Sequence, residues 1–180
     1  MPETTSQVDI PADPCGAAMD AAAAELSGLN LLEAADHAWQ SLVAITGGAQ
    51  VDNVDRHRAI VALACQVKPL RDHLIVQAVE HGDLSLPATR EVVWLALKAR
   101  PELQPALAGT AGMLLLAVTG STVAAAHYAR LGSQDSLGQL VAQLVEAGIP
   151  PEDVKSMLLQ AKPAVRRVLE DLSQPLGAAR

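Results

Sequence analysis

The feature that most constrains the fold of this chain is the regular spacing of helix-ending residues between its apolar segments. From about Ser85 to Pro151, apolar stretches are separated by Pro101, Gly120 and Gly148, residue types that are typical of helix boundaries. Connections of roughly two to six residues, as found here, join antiparallel neighbours in helical proteins. The sequence therefore predicts an all-α fold of antiparallel helical hairpins, with eight or nine helices.

The residues available for a core favour the same fold class. Half of the 180 residues are hydrophobic, but the chain has two Trp, one Tyr and no Phe, so its core must consist of Leu, Val and Ala. Ala and Leu are strong helix formers, and small Ala faces let helices approach closely. The alternation of β-branched and aromatic residues that strands need is almost absent. At this length we expect one domain.

The chain divides into three parts. Residues 1–14 are rich in Pro, Ser, Thr and acids and are expected to form a disordered acidic leader. A single all-α domain is predicted over residues 15–172, and a frayed tail over 173–180. The helices over 111–118 and 122–131, joined at Gly120, loosely resemble one tetratricopeptide unit. The arrangement is therefore predicted to be tetratricopeptide-like, although a single unit is weak support for a repeat protein.

Single residues predict several helix boundaries within the domain. Asn30, with Glu33 three residues later, predicts a capping box. Ser85, Ser121 and Asp135 are predicted caps, the first for a helix over 86–100. Pro151 and Pro163 are each predicted to start a short helix. The stripes predicted to face inward near the C-terminus are Leu137, Leu140, Val141, Leu144, Val154, Met157, Leu158, Ala161, Val165, Val168, Leu169 and Leu172.

Charge is unevenly distributed. Residues 1–55 carry nine acids and no Lys or Arg, whereas the remainder carries eleven acids and thirteen bases. A net charge of −7 argues against binding to a phosphate backbone, which needs clustered Lys and Arg. The alternative is a regulator that uses a small basic face to contact nucleic acid. That face would comprise Arg56, Arg58, Lys68, Arg71 and the last helix, which carries Lys162, Arg166 and Arg167.

A cytoplasmic location is expected by default. The segment Met1–Thr5 lacks the basic and apolar regions of a signal peptide, and the two cysteines, Cys15 and Cys65, suggest neither a disulfide framework nor a zinc site. The uncharged stretch Leu103–Ala129 is long enough to span a bilayer. Its Gly and Pro residues and the break at 119–122 favour two helices instead, so no membrane association is predicted.

The spacing of several helix boundaries is also that of a known family. The matching features are Arg71-Asp72 at a helix start, Trp94 followed by Ala99-Arg100-Pro101, the apolar helix ending at Gly120, the Ala124–Ala126 helix, Ser136-Leu137, and Gly148-Ile149-Pro150-Pro151. Over residues 55–158 the chain resembles the C-terminal helical part of an actinobacterial family of domains of unknown function, numbered 4192. The resemblance implies a helical fold and an actinobacterial or actinophage origin, but no activity.

Two features depart from that family. Its members carry an N-terminal mixed α/β portion, whereas residues 1–50 of this chain contain no strand pattern. Where the family tends to show Asp-Pro before the Ser-Leu helix, this chain has Ser133-Gln134-Asp135.

No catalytic, metal-binding or cofactor-binding pattern stands out from the sequence. Asp36, His37 and Ser41 are hydrolase residue types, but Ser41 is predicted in mid-helix without a nucleophile elbow. The histidines lack helical metal-ligand spacing, and Gly109 and Gly112 lie in an apolar helix without a following Lys. We therefore expect no cofactor, no metal and no small-molecule substrate, and an enzyme with an unrecognised site is the least favoured alternative.

The sequence instead predicts a non-catalytic helical protein-interaction module, a regulator or adaptor. Trp94 and Tyr128 lie close in sequence to Arg90, His127 and Arg130, and aromatic and Arg side chains dominate many interfaces. Arg71 and Asp72 complete the predicted binding residues. The aromatic residues are also typical of a buried core, so both interpretations of them stay open. The expected partner is another protein or a second copy of the chain.

Overall fold

The computed structural model describes residues 18–47 and 51–174, and over these ranges the chain is all-α, as predicted. The described residues form nine α-helices: α1 Met19–Ser27, α2 Leu31–Thr46, α3 Val54–Ala64, α4 Lys68–Glu80, α5 Gly82–Lys98, α6 Gln104–Leu114, α7 Thr122–Leu131, α8 Ser136–Glu146 and α9 Pro151–Ser173. A π-helical turn, Leu115–Thr119, continues α6. The predicted helix number is thus confirmed for the described residues. The likeness to a tetratricopeptide repeat stays a prediction, and the leader at 1–14 and residues 175–180 lie outside the described ranges.

Helix α4 lies at the centre of the packing. It contacts α2, α5, α6 and α9, while α1 packs on α3 and α3 on α2. On the other side, α5 packs on α6, and α6, α7 and α8 pack on one another. Alanine is the commonest buried residue, as the composition predicts, and its small side chain permits these close crossings.

Three predicted caps are confirmed. Asn30 and Glu33 form the reciprocal capping box at the start of α2. The Ser121 hydroxyl accepts the backbone N–H of Ala124, and Asp135 accepts that of Leu137. Each side chain satisfies a backbone donor that has no partner inside its own helix.

The prediction that Ser85 caps a helix starting at residue 86 is wrong, because α5 begins at Gly82. Ser85 is buried inside the helix, and its hydroxyl donates to the carbonyl oxygen of Ala78 in α4 at 2.6 Å. A serine hydroxyl can satisfy either a helix start or a neighbouring carbonyl, and only tertiary packing decides between them. Because α5 begins at Gly82, the single residue His81 separates it from α4.

The helix start predicted at Pro163 is also wrong, because Pro163 lies within the continuous helix α9. A proline has no N–H to donate to the preceding turn, which usually ends or kinks a helix. Here Val154 and Leu169, on either side of the proline, are both buried, and their packing keeps both halves in one helix. Since α9 packs on α4, α2 and the π-helical turn, only one side of it is covered.

The first part of the uncharged segment forms α6 and the π-helical turn. Leu115 is only half-buried, whereas Leu114 and Leu116 are fully buried. The wider π-helical turn changes the angular spacing of side chains, so α-helical periodicity misplaces residues at this point. Within the described residues, no helix combines the length and apolar character needed to cross a membrane.

The end of α9 is tied to the start of α2. The Ser173 hydroxyl accepts the backbone N–H of Leu32 at 2.9 Å, across 141 residues of sequence. We expect Ser173→Ala to lower the free energy of unfolding by about 0.5–2 kcal/mol, the usual cost of losing a cap. Urea denaturation measures this change, with the exposed Ser156→Ala on the same helix as the control. An equal, negligible effect of both substitutions would show that water replaces the hydroxyl without loss.

Candidate functional site

An apolar groove lies between α8 and α9, which we call the α8–α9 groove. Its floor is formed by Ile75 and Val76 of α4 and by Met113 of α6. It encloses about 190 Å³. Its remaining lining residues are Asp72, Leu137, Leu140, Leu158, Ala161 and Val165. The groove exists because α8 packs on α6 and α7, whereas α9 packs on α4 and α2.

A second hollow extends the groove toward the start of α4. It encloses about 360 Å³ and is lined by Lys68, Pro69, Asp72, Ala164, Val165 and Val168. Asp72 and Val165 line both hollows, so the two are adjacent. The volume of the second hollow alone falls in the range of protein ligand sites, about 300–1,000 Å³.

Apolar side chains on the rim of the groove are exposed to solvent. Leu140 of α8 is 44% exposed and Val168 of α9 is 46% exposed. Met157 lies one turn before the lining residue Ala161 on α9 and is 56% exposed. The stripes predicted to face inward are wrong at these positions and at Leu172, which is also exposed. The reason is that the apolar face of α9 is wider than the part of it that neighbouring helices cover. A contiguous apolar strip of this kind is typical of a binding surface.

Asp72 is the only carboxylate that lines either hollow among the described residues. Burial raises the pKa of this carboxyl, against the opposing attraction of Arg71 and Lys68. The nearest cationic atom, Arg71 Nε, lies 3.7 Å from Asp72 Oδ1, too far for a good hydrogen bond. The Nε atom accordingly has no hydrogen-bond partner among the described residues.

Arg71 is buried and does not line the groove. The residue is 3% exposed, and its Nη1 donates to Asp135 Oδ1 at 2.9 Å and to Oδ2 at 3.1 Å. Of the predicted pair Arg71 and Asp72, therefore, only Asp72 reaches the groove. Arg71 fixes the start of α8 against α4 and so positions one wall.

A small polar crevice lies on the opposite side of α9 from the groove rim. It encloses about 50 Å³ among Asp36, His73, Lys162 and Arg166, together with neighbouring apolar residues. His73 is buried, and burial lowers its pKa, with Asp36 acting in the opposite direction. Lys162 is paired with Glu80, and Arg166 with Glu170. A crevice of this volume has room for water only. In addition, Lys162 and Arg166 each already have a carboxylate partner.

The predicted residues Arg90 and Trp94 lie on α5. Trp94 is half-buried beneath Arg58 of α3, whose guanidinium carbon lies 3.9 Å from the centre of the ring. Arg58 also donates to Glu91 at 2.6 Å. Arg90 is exposed and pairs with none of the described residues. The tryptophan thus contributes to packing and to a cation–π contact within the chain.

The predicted residues His127, Tyr128 and Arg130 lie on α7. Tyr128 is buried, His127 and Arg130 are exposed, and the two rings meet edge to face at 5.4 Å between centroids. Helices α5 and α7 pack mainly on α6 rather than on each other. The structure therefore places the predicted residues on two helices that do not pack closely on each other, and whether either binds a partner stays a prediction.

The basic face required for nucleic-acid binding is largely engaged within the chain. Arg56 forms a two-point contact with Glu25, and Arg58 pairs with Glu91. Arg71 is buried against Asp135. Guanidinium groups held in this way have few donors left for phosphate.

A serine–histidine contact joins α2 and α3. His57 Nδ1 lies 3.1 Å from Ser41 Oγ, so the histidine near Ser41 is not the His37 suggested by the sequence. Ser41 is 1% exposed, which closes it to a substrate. His37 Nε2 lies 2.6 Å from Glu25 Oε1, but the groups are poorly aligned for a hydrogen bond. We interpret this cluster as structural because Ser41 is buried.

The α8–α9 groove is the feature that sequence reasoning missed. Its walls come from helices that are amphipathic in sequence, and amphipathic helices are normally assigned to the core. The available signal was the width of the apolar stripe on α9, which includes Met157, Ala161, Ala164 and Val168 as well as the buried Val154 and Leu169.

No protein family, curated protein or solved structure shows significant similarity to the chain, so the resemblance to family 4192 stays a prediction.

Proposed function

We propose that this protein is a non-catalytic interaction module that binds another protein through the α8–α9 groove. The observation that carries this proposal is a pair of adjacent apolar hollows lined by the exposed Leu140 and Val168, with the exposed Met157 one turn from the lining residue Ala161. Exposing apolar surface to water is unfavourable in free energy, and covering it with an apolar partner removes that unfavourable contribution.

Two further observations support binding over chemistry or nucleic-acid contact. The one nucleophile–histidine contact of the described residues is buried, and the arginines of the predicted basic face pair with Glu25, Glu91 and Asp135. The exposed Arg90 and Arg130 remain predicted binding residues outside the groove. An actinobacterial or actinophage origin, with a role as a regulator or adaptor, is part of the same proposal.

A display library of peptides from the source organism tests the groove directly. We expect the full chain to enrich peptides whose affinity falls at least about tenfold when Leu140→Glu or Val168→Glu places a charge on the rim, because charges are depleted from interface centres. Both residues are already exposed, so neither change should disturb folding. Fluorescence anisotropy with each enriched peptide measures the change.

Val123→Glu is the matched control. Val123 is 82% exposed on α7 and lines neither hollow, so this variant should bind as tightly as the parent. Arg90→Ala and Arg130→Ala test the alternative surfaces. If these two weaken binding while the rim variants do not, the groove is the wrong interface and the surface predicted from sequence replaces it.

A further inference from the structure

We propose that the α8–α9 groove receives an amphipathic helix of about three turns whose apolar face contains one Lys or Arg, seated against Asp72. This inference rests on the proposed function and names the chemistry of the partner. It follows from the shape of the groove and from the position of one carboxylate within it.

The shape fits a helix. The exposed apolar strip on α9 runs from Met157 to Val168, which is twelve residues and eleven helical rises, or about 16 Å at 1.5 Å per residue. Leu140 on α8 forms the facing wall, and Ile75 and Val76 form the floor. A groove between two helices takes the side chains at positions i, i+3, i+4 and i+7 of a third helix.

The charge favours a basic residue on that helix. Asp72 lies where the two hollows meet, and its side chain is 34% exposed. The neighbouring Arg71 directs its hydrogen bonds to Asp135, so the carboxylate of Asp72 has no short donor from it. Arg71 Nε at 3.7 Å and Lys68 on the same hollow attract this carboxylate without a short hydrogen bond. A helix that covered Asp72 with apolar groups alone would remove its water without adding a donor, which is costly. An ammonium or guanidinium group on the partner removes that cost.

A second copy of the chain fits less well. Asp153 and Asp171 lie eighteen residues apart on α9, which is five turns, so both point the same way beside the apolar strip. Antiparallel pairing of two α9 helices would bring Asp153 of one copy near Asp171 of the other. Opposed like charges disfavour such a dimer.

Matched synthetic peptides test the inference. The probes are two sixteen-residue amphipathic helices of Leu, Ala and Gln, identical except that one carries Lys and the other Glu in the middle of the apolar face. We expect the Lys peptide to bind the full chain at least tenfold more tightly by fluorescence anisotropy. Asp72→Asn should reduce this preference to less than threefold, and Asp72→Lys should reverse it. Thermal melting checks that each variant is folded, and the Asn variant alone suffices if the Lys variant is not.

Three outcomes would overturn the inference, and they differ in what they mean for the groove. Equal binding of both peptides, abolished by Val168→Glu, would retain the groove as a binding site and remove the role of Asp72. Binding of neither peptide, with no rim-sensitive peptide from the display library, would remove the groove as well. A dimer in light scattering, dissociated by Val168→Glu, would identify a second copy as the occupant.

Discussion

Asp135→Ala is expected to cause a loss of stability large enough to unfold much of the protein near physiological temperature. The Asp135 carboxylate accepts the backbone N–H of Leu137 at 2.8 Å and holds the buried Arg71 through both oxygens. Removing one partner of a buried ion pair costs about 3–5 kcal/mol, because the other charge stays buried without compensation. Loss of the cap adds about 1 kcal/mol. Domains of this size are stable by about 5–15 kcal/mol, so we expect the melting temperature to fall by at least about 10 °C.

Two related variants separate the cap from the charge. Asn is an equally good cap, so Asp135→Asn should keep the hydrogen bond to Leu137 and lose only the attraction to Arg71. Adding Arg71→Met to that background removes the buried charge and should recover part of the lost stability, since apolar replacement of a buried pair is often neutral. If Asp135→Ala and Asp135→Asn melted like the parent, Arg71 would have to be solvated, and the account of this pair would be wrong.

Local features of this fold could be predicted from the sequence, because their causes lie within a few residues. The caps at Asn30, Ser121 and Asp135 each act on a backbone group two or three residues away, and all three are observed. Ser85 shows the limit of this argument. Its hydroxyl is bonded to Ala78 of the preceding helix, and nothing local distinguishes that arrangement from a cap.

Features that depend on tertiary packing could not be predicted in this way. The partner of Arg71 lies 64 residues away at Asp135, so sequence analysis placed Arg71 among the binding residues and missed its role in the fold. The α8–α9 groove depends on which part of a wide apolar stripe is covered, and periodicity alone assigned Met157 and Val168 to the core. The fold class could therefore be predicted, whereas the candidate site required the relative positions of α4, α8 and α9.

Gly138→Ala is the second substitution with a large expected effect. Gly138 of α8 lies against the backbone of Gly132, and an added Cβ would be 2.6 Å from the Gly132 carbonyl carbon and nearer still to its oxygen. At the same crossing, a Cβ at Gly109 of α6 would lie 2.9 Å from the backbone nitrogen of Gly138. Overpacking in a core typically costs about 1–3 kcal/mol, and here the obstacle is backbone rather than a mobile side chain, so we expect at least the upper end of that range.

Gly82→Ala is the matched control for this prediction, and the comparison separates helix propensity from packing. Gly82 starts α5, and a Cβ there would have no heavy atom within 4 Å. Alanine is the better helix former, so the control should be neutral or stabilised by about 0.4–1 kcal/mol. Thermal and urea unfolding of both variants measure the difference. Because α8 forms one wall of the groove, Gly138→Ala should also weaken peptides that bind there, whereas Gly82→Ala should not. A Gly138→Ala protein as stable as the control would mean that α6, α7 and α8 can separate without loss, and the groove would then lack a rigid wall.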